Sequence, residues 1–433
     1  MLEEHHAVGS LLFMYICTLY RRLKRDQPVE PTQAQIQETH QPSHSDERSI
    51  QPSINFETYS KFWKRRGYFE TVFLPMKEQN SLEFFKNTCM NAAMFDSLIS
   101  MIKEELVQSN VPKDITVEER LALTLTFLAK GLSYNHVVRV HKLDWIELAR
   151  TILLETCDAL WKVLQPIYFA KPTEAMYSEL AKSFLEKWHL PYCVGAVTNK
   201  EITLSNSVRK TETGSIILMA TCDTNYKLTS VSIGNKGQFS SSSYGQALLE
   251  NVLPLPSRGE PTEAQPSFPH YLAGDFSFPL LTNLMRPFPG MELNKRRQIF
   301  NYRLSRGQQV IENTLGIIAA RWHIFKKPIN AKSDECKKYV LTACALHNFI
   351  MSNDSDHIYC PEKYADWEDE NHMINNGDWR KDADRRYSAI CYSKCFIRKS
   401  MESAFKQRED LAKYFENDGA VEFQDEVINA ISY

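Results

Sequence analysis

Apolar residues along the first half of this chain return every three or four positions; between about 190 and 275 they crowd into short runs instead. From 81 to about 188, Phe84, Phe85, Cys89, Phe95, Leu98, Ile99, Ile102 and Leu106 keep helical spacing. ITVEERLALTLTFLAKG carries a capping-box pair, Thr116 and Glu119, and closes on Gly131, so a helix with both ends marked is expected there. LSYNHVVRVHKLDWIELARTILLETCDAL predicts a short helix, a turn near Lys142 to Asp144 and a longer second helix, an arrangement compatible with a helix-turn-helix.

The runs YCVGAVT, SIILMATC, KLTSVSIG and YLAGD are short, apolar and β-branched, and predict strands. The first two are nearly continuous in apolar character, which suits a sheet covered on both faces. Turn signals sit at DTNY, GNKG and the Pro-rich stretch 254–269. Helical spacing returns in SRGQQVIENTLGIIAARWHIF and DECKKYVLTACALHNFIM, and the polar, acidic tail from 351 closes with the helical MESAFKQREDLAKYFENDG. The fold class expected is α/β: an N-terminal helical domain, 55–188, followed by a mixed-sheet domain with flanking helices, 189–350, and a tail, 351–433.

Two segments precede these. AVGSLLFMYICTLY, residues 7–20, is apolar but shorter than the roughly 20 residues a bilayer span requires. MLEEHH puts acid where a secretory signal carries positive charge. Residues 1–24 are therefore expected to form an amphipathic or buried helix and not to enter a membrane, with a signal anchor, suggested by the following RRLKR, as the alternative. Residues 25–54 hold Pro, Gln, Ser and charge with almost nothing to bury, and are expected to be a disordered linker.

Composition narrows the function classes. The 433 residues are 43% hydrophobic and carry a net charge of -2, so any nucleic-acid signal has to be local. Ten cysteines without a CxxC pair point to a reducing compartment and no disulfide framework. A local signal does exist: residues 291–340 contain eleven Lys/Arg against four Asp/Glu, and NKRRQIFNYR interleaves arginine with aromatics. Lys295, Arg296, Arg297, Arg303 and Arg306 are the candidate DNA contacts. The second helix of the helix-turn-helix argues the other way. Asp144, Glu147 and Glu155 stand there against Arg150 alone, so that helix is not expected to read DNA by itself. Cys391, Cys395 and His372 lack zinc spacing.

Several stretches together resemble one family, the Harbinger (P instability factor) transposases and the host nuclease-like proteins derived from them. WKRRGYFETVFLPMKEQNSLEFFKNTCMNAAMFDSLI resembles the family's entry segment, and ERLALTLTFLAKGLSYNHVVRVHKL its helix-turn-helix. PYCVGAVTNKEI resembles the first catalytic strand, ATCDTNYKLTSVSIGNKG the next two, and LAGDFSFPLLTNLMRPFPG the second catalytic strand. FNYRLSRGQQVIENTLGIIAARWHIF is similar to the helix bearing the third acid, and CALHNFI to the end of the domain. The likeness covers roughly 60 to 350, plus the last helix.

The resemblance implies a ribonuclease H-like fold in which two aspartates and a glutamate hold Mg²⁺ or Mn²⁺ for phosphodiester cleavage. By position the second aspartate is Asp275 and the glutamate Glu312, while the first aspartate falls on Thr198. A hydroxyl cannot replace a carboxylate that bridges two dications. Asp223, at the end of the adjacent strand, is the candidate substitute, with a turn residue bonding its own backbone as the alternative; Glu201 points to the opposite strand face. Other departures are Ser241 at the family's acidic position, the shortened VRKTETGS loop, Gln308 for an arginine, and Gly307 in the helix. The expectation is a fold that persists around a decayed metal site, with Asp275 and Glu312 as relics satisfied by hydrogen bonds or by Arg303 and Arg306. If one ligand is all that was lost, Thr198→Asp restores metal binding.

The function expected is a domesticated, catalytically degenerate transposase relative that acts as a DNA- or chromatin-associated adaptor in the nucleus, with the cytoplasm as a second compartment. The resemblance also implies a Myb-like DNA-binding protein as partner. The alternative is an active divalent-metal endonuclease that uses Asp223 with Asp275 and Glu312.

Overall fold

The computed structural model describes residues 67–107, 109–205, 214–234, 238–257, 267–383, 388–392 and 400–431. The expected N-terminal apolar helix and the 25–54 linker lie outside them.

Helices come first: α1 (Leu74–Gln79), α2 (Ser81–Thr88), α3 (Ala92–Ile102), α4 (Val117–Lys130), α5 (Tyr134–His141), α6 (Ile146–Tyr168) and α7 (Glu174–Trp188). The apolar period from 81 to 106 is broken by Cys89, which turns left-handed at φ +60°, and Asn91 then caps α3 by accepting from Met94 N. α4 starts where the capping pattern put it, with Thr116 Oγ1 accepting from Glu119 N at 3.2 Å. It ends on Gly131 at φ +62°, where a Cβ would lie 2.5 Å from the His323 carbonyl oxygen. Lys142, at φ +54°, makes the turn between α5 and α6.

The sheet holds β1 (Cys193–Thr203), β2 (Ser215–Cys222), β3 (Leu228–Gly234), β4 (Tyr271–Ala273) and β5 (Leu284–Met285) in the order β3-β2-β1-β4-β5. β2 runs antiparallel to both β1 and β3, whereas β4 runs parallel to β1 and β5 parallel to β4. The first eight positions of β1 are all buried, as a sheet covered on both faces requires. α8 (Gln238–Ser241) and α9 (Ser243–Leu249) follow β3, and α10 (Lys295–Arg321) and α11 (Ser333–Asn353) follow β5. The tail adds a small hairpin, β6 (Trp367–Glu368) with β7 (Ile374–Asn375), then α12 (Trp379–Asp382), β8 (Ile390–Tyr392), α13 (Glu402–Glu416) and α14 (Gln424–Ile431). β8 pairs antiparallel with the second half of β1.

Alternation along β1 sorts its side chains between two apolar clusters. Ala196 and Ile202 face the main cluster, which includes Ile311 and Leu315 of α10, and Val197 faces a smaller one with Leu248 of α9 and Phe278; Val194, on the far side of a register irregularity between Cys193 and Ala196, joins Val197 despite its parity. Thr198 and Lys200 share the parity of Ala196 and Ile202, so they look toward α10. The main cluster also takes in Leu121 and Leu128 of α4 and Ile152 and Leu160 of α6, so the helical half and the sheet half share one core. At Gly307 α10 passes close to the end of α7, where a Cβ would meet Leu190 Cδ2 at 2.6 Å.

Candidate functional site

Four side chains from three elements meet at the rim where β1 and β4 run side by side. The parallel register pairs Ala196 with Ala273, and two residues further on Thr198 stands beside Asp275. Thr198 Oγ1 donates to Asp275 Oδ2 at 3.3 Å. The other oxygen of Asp275 accepts from Ser277 N at 2.7 Å and from the Ser277 hydroxyl. Burial pushes the Asp275 carboxyl up from its ordinary range; the Ser277 hydrogen bond and the charge of Lys200 pull it back.

Lys200 follows Thr198 on the same strand face and meets Glu312 of α10. Its Nζ donates to both carboxylate oxygens, at 2.6 and 2.9 Å, and only 5% of the lysine side chain is exposed. In the β8 register Tyr392 lies directly opposite Lys200. The Tyr392 ring centroid is 3.6 Å from Nζ, and its hydroxyl donates to Glu312 Oε2 at 3.2 Å. Carboxylate and ring face thus hold one ammonium between them.

Sequence position therefore brings Thr198, Asp275 and Glu312 together, and leaves Asp223 out. Asp223 follows Cys222, the β2 partner of Ala196, which puts it about 10 Å along the strand from Thr198. Its Oδ1 accepts from Asn225 N at 2.8 Å and Lys227 N at 2.9 Å, the backbone bonding of a turn residue. Ser241 ends the short helix α8, and residues 208–213 of the shortened loop lie outside the described residues. One expectation needs correction. Arg303 and Arg306 do not satisfy the acids; Lys200, Thr198, Ser277 and Tyr392 do. Of these, Lys200 was legible in the sequence, since strand alternation places it on the Thr198 face.

The basic run finds carboxylates of its own. Lys295 pairs with Asp425 at 2.7 Å, Arg296 with Glu416 at 2.6 Å and Arg297 with Glu409 at 2.6 Å, all on the C-terminal helices or at their ends. Arg303, 1% exposed, donates to Gly419 O at 3.0 Å, to Gln424 Oε1 at 3.1 Å and to the His189 carbonyl. Arg306 forms a two-point pair with Glu368 at 2.9 and 2.7 Å. All five candidate DNA contacts thus hold α7, α10 and the tail together.

Other candidates resolve simply. α6 packs along α11, with Glu155 paired to Arg120 at 2.8 Å and Arg150 to Glu335 at 3.3 Å. His372 donates through Nδ1 to the Glu368 carboxylate and stacks on Phe423; Cys391 is exposed, and Cys395 lies outside the described residues. Among the described residues no group of three or more His, Cys, Asp or Glu is arranged to hold a metal, and no helix is long and apolar enough to cross a membrane.

Residues 200–348, which contain Asp275 and Glu312, match the model of the DDE superfamily endonucleases. About a third of the chain is thus similar to that family. The match begins at Lys200, two positions beyond Thr198. A protein named ALP1-like from Arabidopsis thaliana is 26% identical over 195 residues, 40% of this chain and 46% of its own length. The chain thus spans about half the length of the curated relative it matches. No solved structure matches.

DDE endonucleases as a superfamily use divalent metal, and the residues present here do not fit that use. Three carboxylates are needed to offset paired dications, and the third place holds a neutral hydroxyl. One of the two remaining acids already bonds an ammonium through both oxygens. A further dication entering beside it meets like charge in a partly buried site, where screening is weak.

Proposed function

We propose that this is a transposase-derived, nuclease-like protein that has lost hydrolytic chemistry and acts in the nucleus as a DNA- or chromatin-associated adaptor. The observation that carries this reading is the pair of contacts at the rim, Thr198 on Asp275 and Lys200 on Glu312. A ribonuclease H-like origin is supported by the sheet, in which three antiparallel strands are extended by two parallel ones on the β1 side. The acid positions follow the same logic: one on β1, one just after β4, one on the long helix crossing the sheet.

An adaptor of this kind reaches DNA through a protein partner, and the resemblance supplies the class, a Myb-like DNA-binding protein. The matched charges on Lys295, Arg296 and Arg297 favour that route over direct contact. Supercoiled plasmid incubated with Mn²⁺ tests the chemistry. No nicking above that of Asp275→Ala is expected, and nicking abolished by Asp275→Ala would establish the rival reading, a live metal-dependent endonuclease.

A further inference from the structure

We infer that Lys200 is the cleft's own cation, standing by its ammonium where relatives bind an ion, and that the cleft becomes a divalent-cation site when Thr198→Asp and Lys200→Ala are combined. The inference rests on the degenerate-nuclease reading but concerns a different property, the occupancy of the cleft.

Three observations support it. First, the ammonium lies inside the acid cluster. It takes both oxygens of Glu312, with 16% of that side chain exposed, and its charge acts on Asp275 across the cleft. Second, its remaining surroundings suit a cation, because the Tyr392 ring centroid at 3.6 Å presents a negative π face. Third, the lysine offsets one of the two carboxylate charges, and neutral donors meet the other. Asp275 and Glu312 bring two negative charges and Lys200 one positive, and the Thr198 and Ser277 hydroxyls and the Ser277 amide satisfy the aspartate.

The arrangement explains why a single reversion is not enough. Thr198→Asp alone adds a carboxylate next to Asp275, yet leaves Lys200 bonded to Glu312 and its charge facing any incoming ion. Removing the lysine as well frees Glu312, opens the space of a four-carbon stem for a hydrated ion, and leaves three carboxylates converging from β1, β4 and α10. A compact, strongly hydrated ammonium and a hard dication compete for the same oxygen ligands. The cleft therefore has room for one or the other.

The test uses the full chain and Mn²⁺ as the probe, read by calorimetric binding and by the melting temperature with and without the ion. Wild type and Thr198→Asp are expected to show neither binding nor a shift. Thr198→Asp/Lys200→Ala is expected to bind at least about tenfold more tightly than either and to melt higher with the ion present. If the double variant folds only when Mn²⁺ is supplied, the inference is supported equally. Thr198→Asp keeps the lysine pair and so reports even if the double variant never folds: no gain of binding supports the blocking role, and firm binding overturns it. A folded double variant that ignores Mn²⁺ also overturns it. Either failure leaves the non-hydrolytic reading standing, whereas metal-dependent cleavage by wild type removes that reading itself.

Discussion

Arg306 and Glu368 form a two-point ion pair that ties the middle of α10 to the first strand of the tail hairpin, with 3% of the arginine side chain and 15% of the glutamate exposed. Because both partners are nearly dry, removing the arginine leaves Glu368 with only His372 beside it. Arg306→Ala should destabilise the fold by about 3 kcal/mol or more. Lys295→Ala breaks a pair that is more than half exposed on each side, and should cost under about 1 kcal/mol. Urea denaturation of the two variants checks the contrast, and equal losses would contradict it.

The cations at the start of α10 predict how this protein handles DNA. Lys295, Arg296 and Arg297 are already met by Asp425, Glu416 and Glu409. Replacing the three cations with alanine should therefore leave retention on a DNA column, and its salt dependence, nearly unchanged. Neutralising the acids instead, as Glu409→Gln/Glu416→Gln/Asp425→Asn, uncovers three positive charges and should steepen the salt slope by up to about 3. A large loss of retention in the alanine variant would show that phosphates displace the acids.

Acid should destabilise the fold through buried imidazoles. Burial, and to a lesser degree His136, lowers His141 from 6.5 to about 4. Burial also lowers His347 to about 4, although its bond to the Tyr226 carbonyl pulls the other way. A histidine depressed in the folded state contributes stability above 6.5 that is lost as pH falls toward 4. Glu119 runs in the opposite sense, since burial first, then Glu70 and Asp114, raise it from 4.5 to about 7. Its contribution is present below 4.5 and lost as pH rises through 7. Two histidines outweigh one carboxyl, so the melting temperature should fall from about pH 6.5 to about pH 4.5. Glu119→Gln should raise stability near pH 8 and make the acid loss steeper; an unchanged profile would show that Glu119 titrates normally.

Gly131 predicts a local steric effect with a long-range origin. Its φ of +62° and the His323 carbonyl 2.5 Å from a Cβ position leave no room for a side chain. Gly131→Ala should cost about 2 kcal/mol or more, well beyond the ordinary price of a lost C-cap. Thermal melting of the variant against Gly419→Ala, where the close neighbour is the Tyr414 ring and not backbone, isolates the effect.

How much of this was legible in the sequence depends on the distance over which each contact is made. The Thr116 cap and the Gly131 stop are local chemistry and were readable as such. The placing of Thr198 beside Asp275 was readable too, because two apolar strands ending in polar residues define a rim even 77 positions apart. The Lys200–Glu312 pair spans 112 positions; alternation puts Lys200 on the Thr198 face, but a lysine in the polar run TNKE does not name its partner. The basic run of α10 looked like a phosphate surface only because its partners, 112 to 130 residues later, were read as a generally acidic tail. The break at Cys89 was hidden because apolar periodicity continued on both sides of it.

The tether on that ammonium has a consequence for life inside a cell. A cation carried on a side chain cannot be leached out, chelated or starved, so EDTA should leave the melting curve of this protein where it was. The shape of the cleft is then insulated from swings in free magnesium, and whatever docks there encounters the same surface each time.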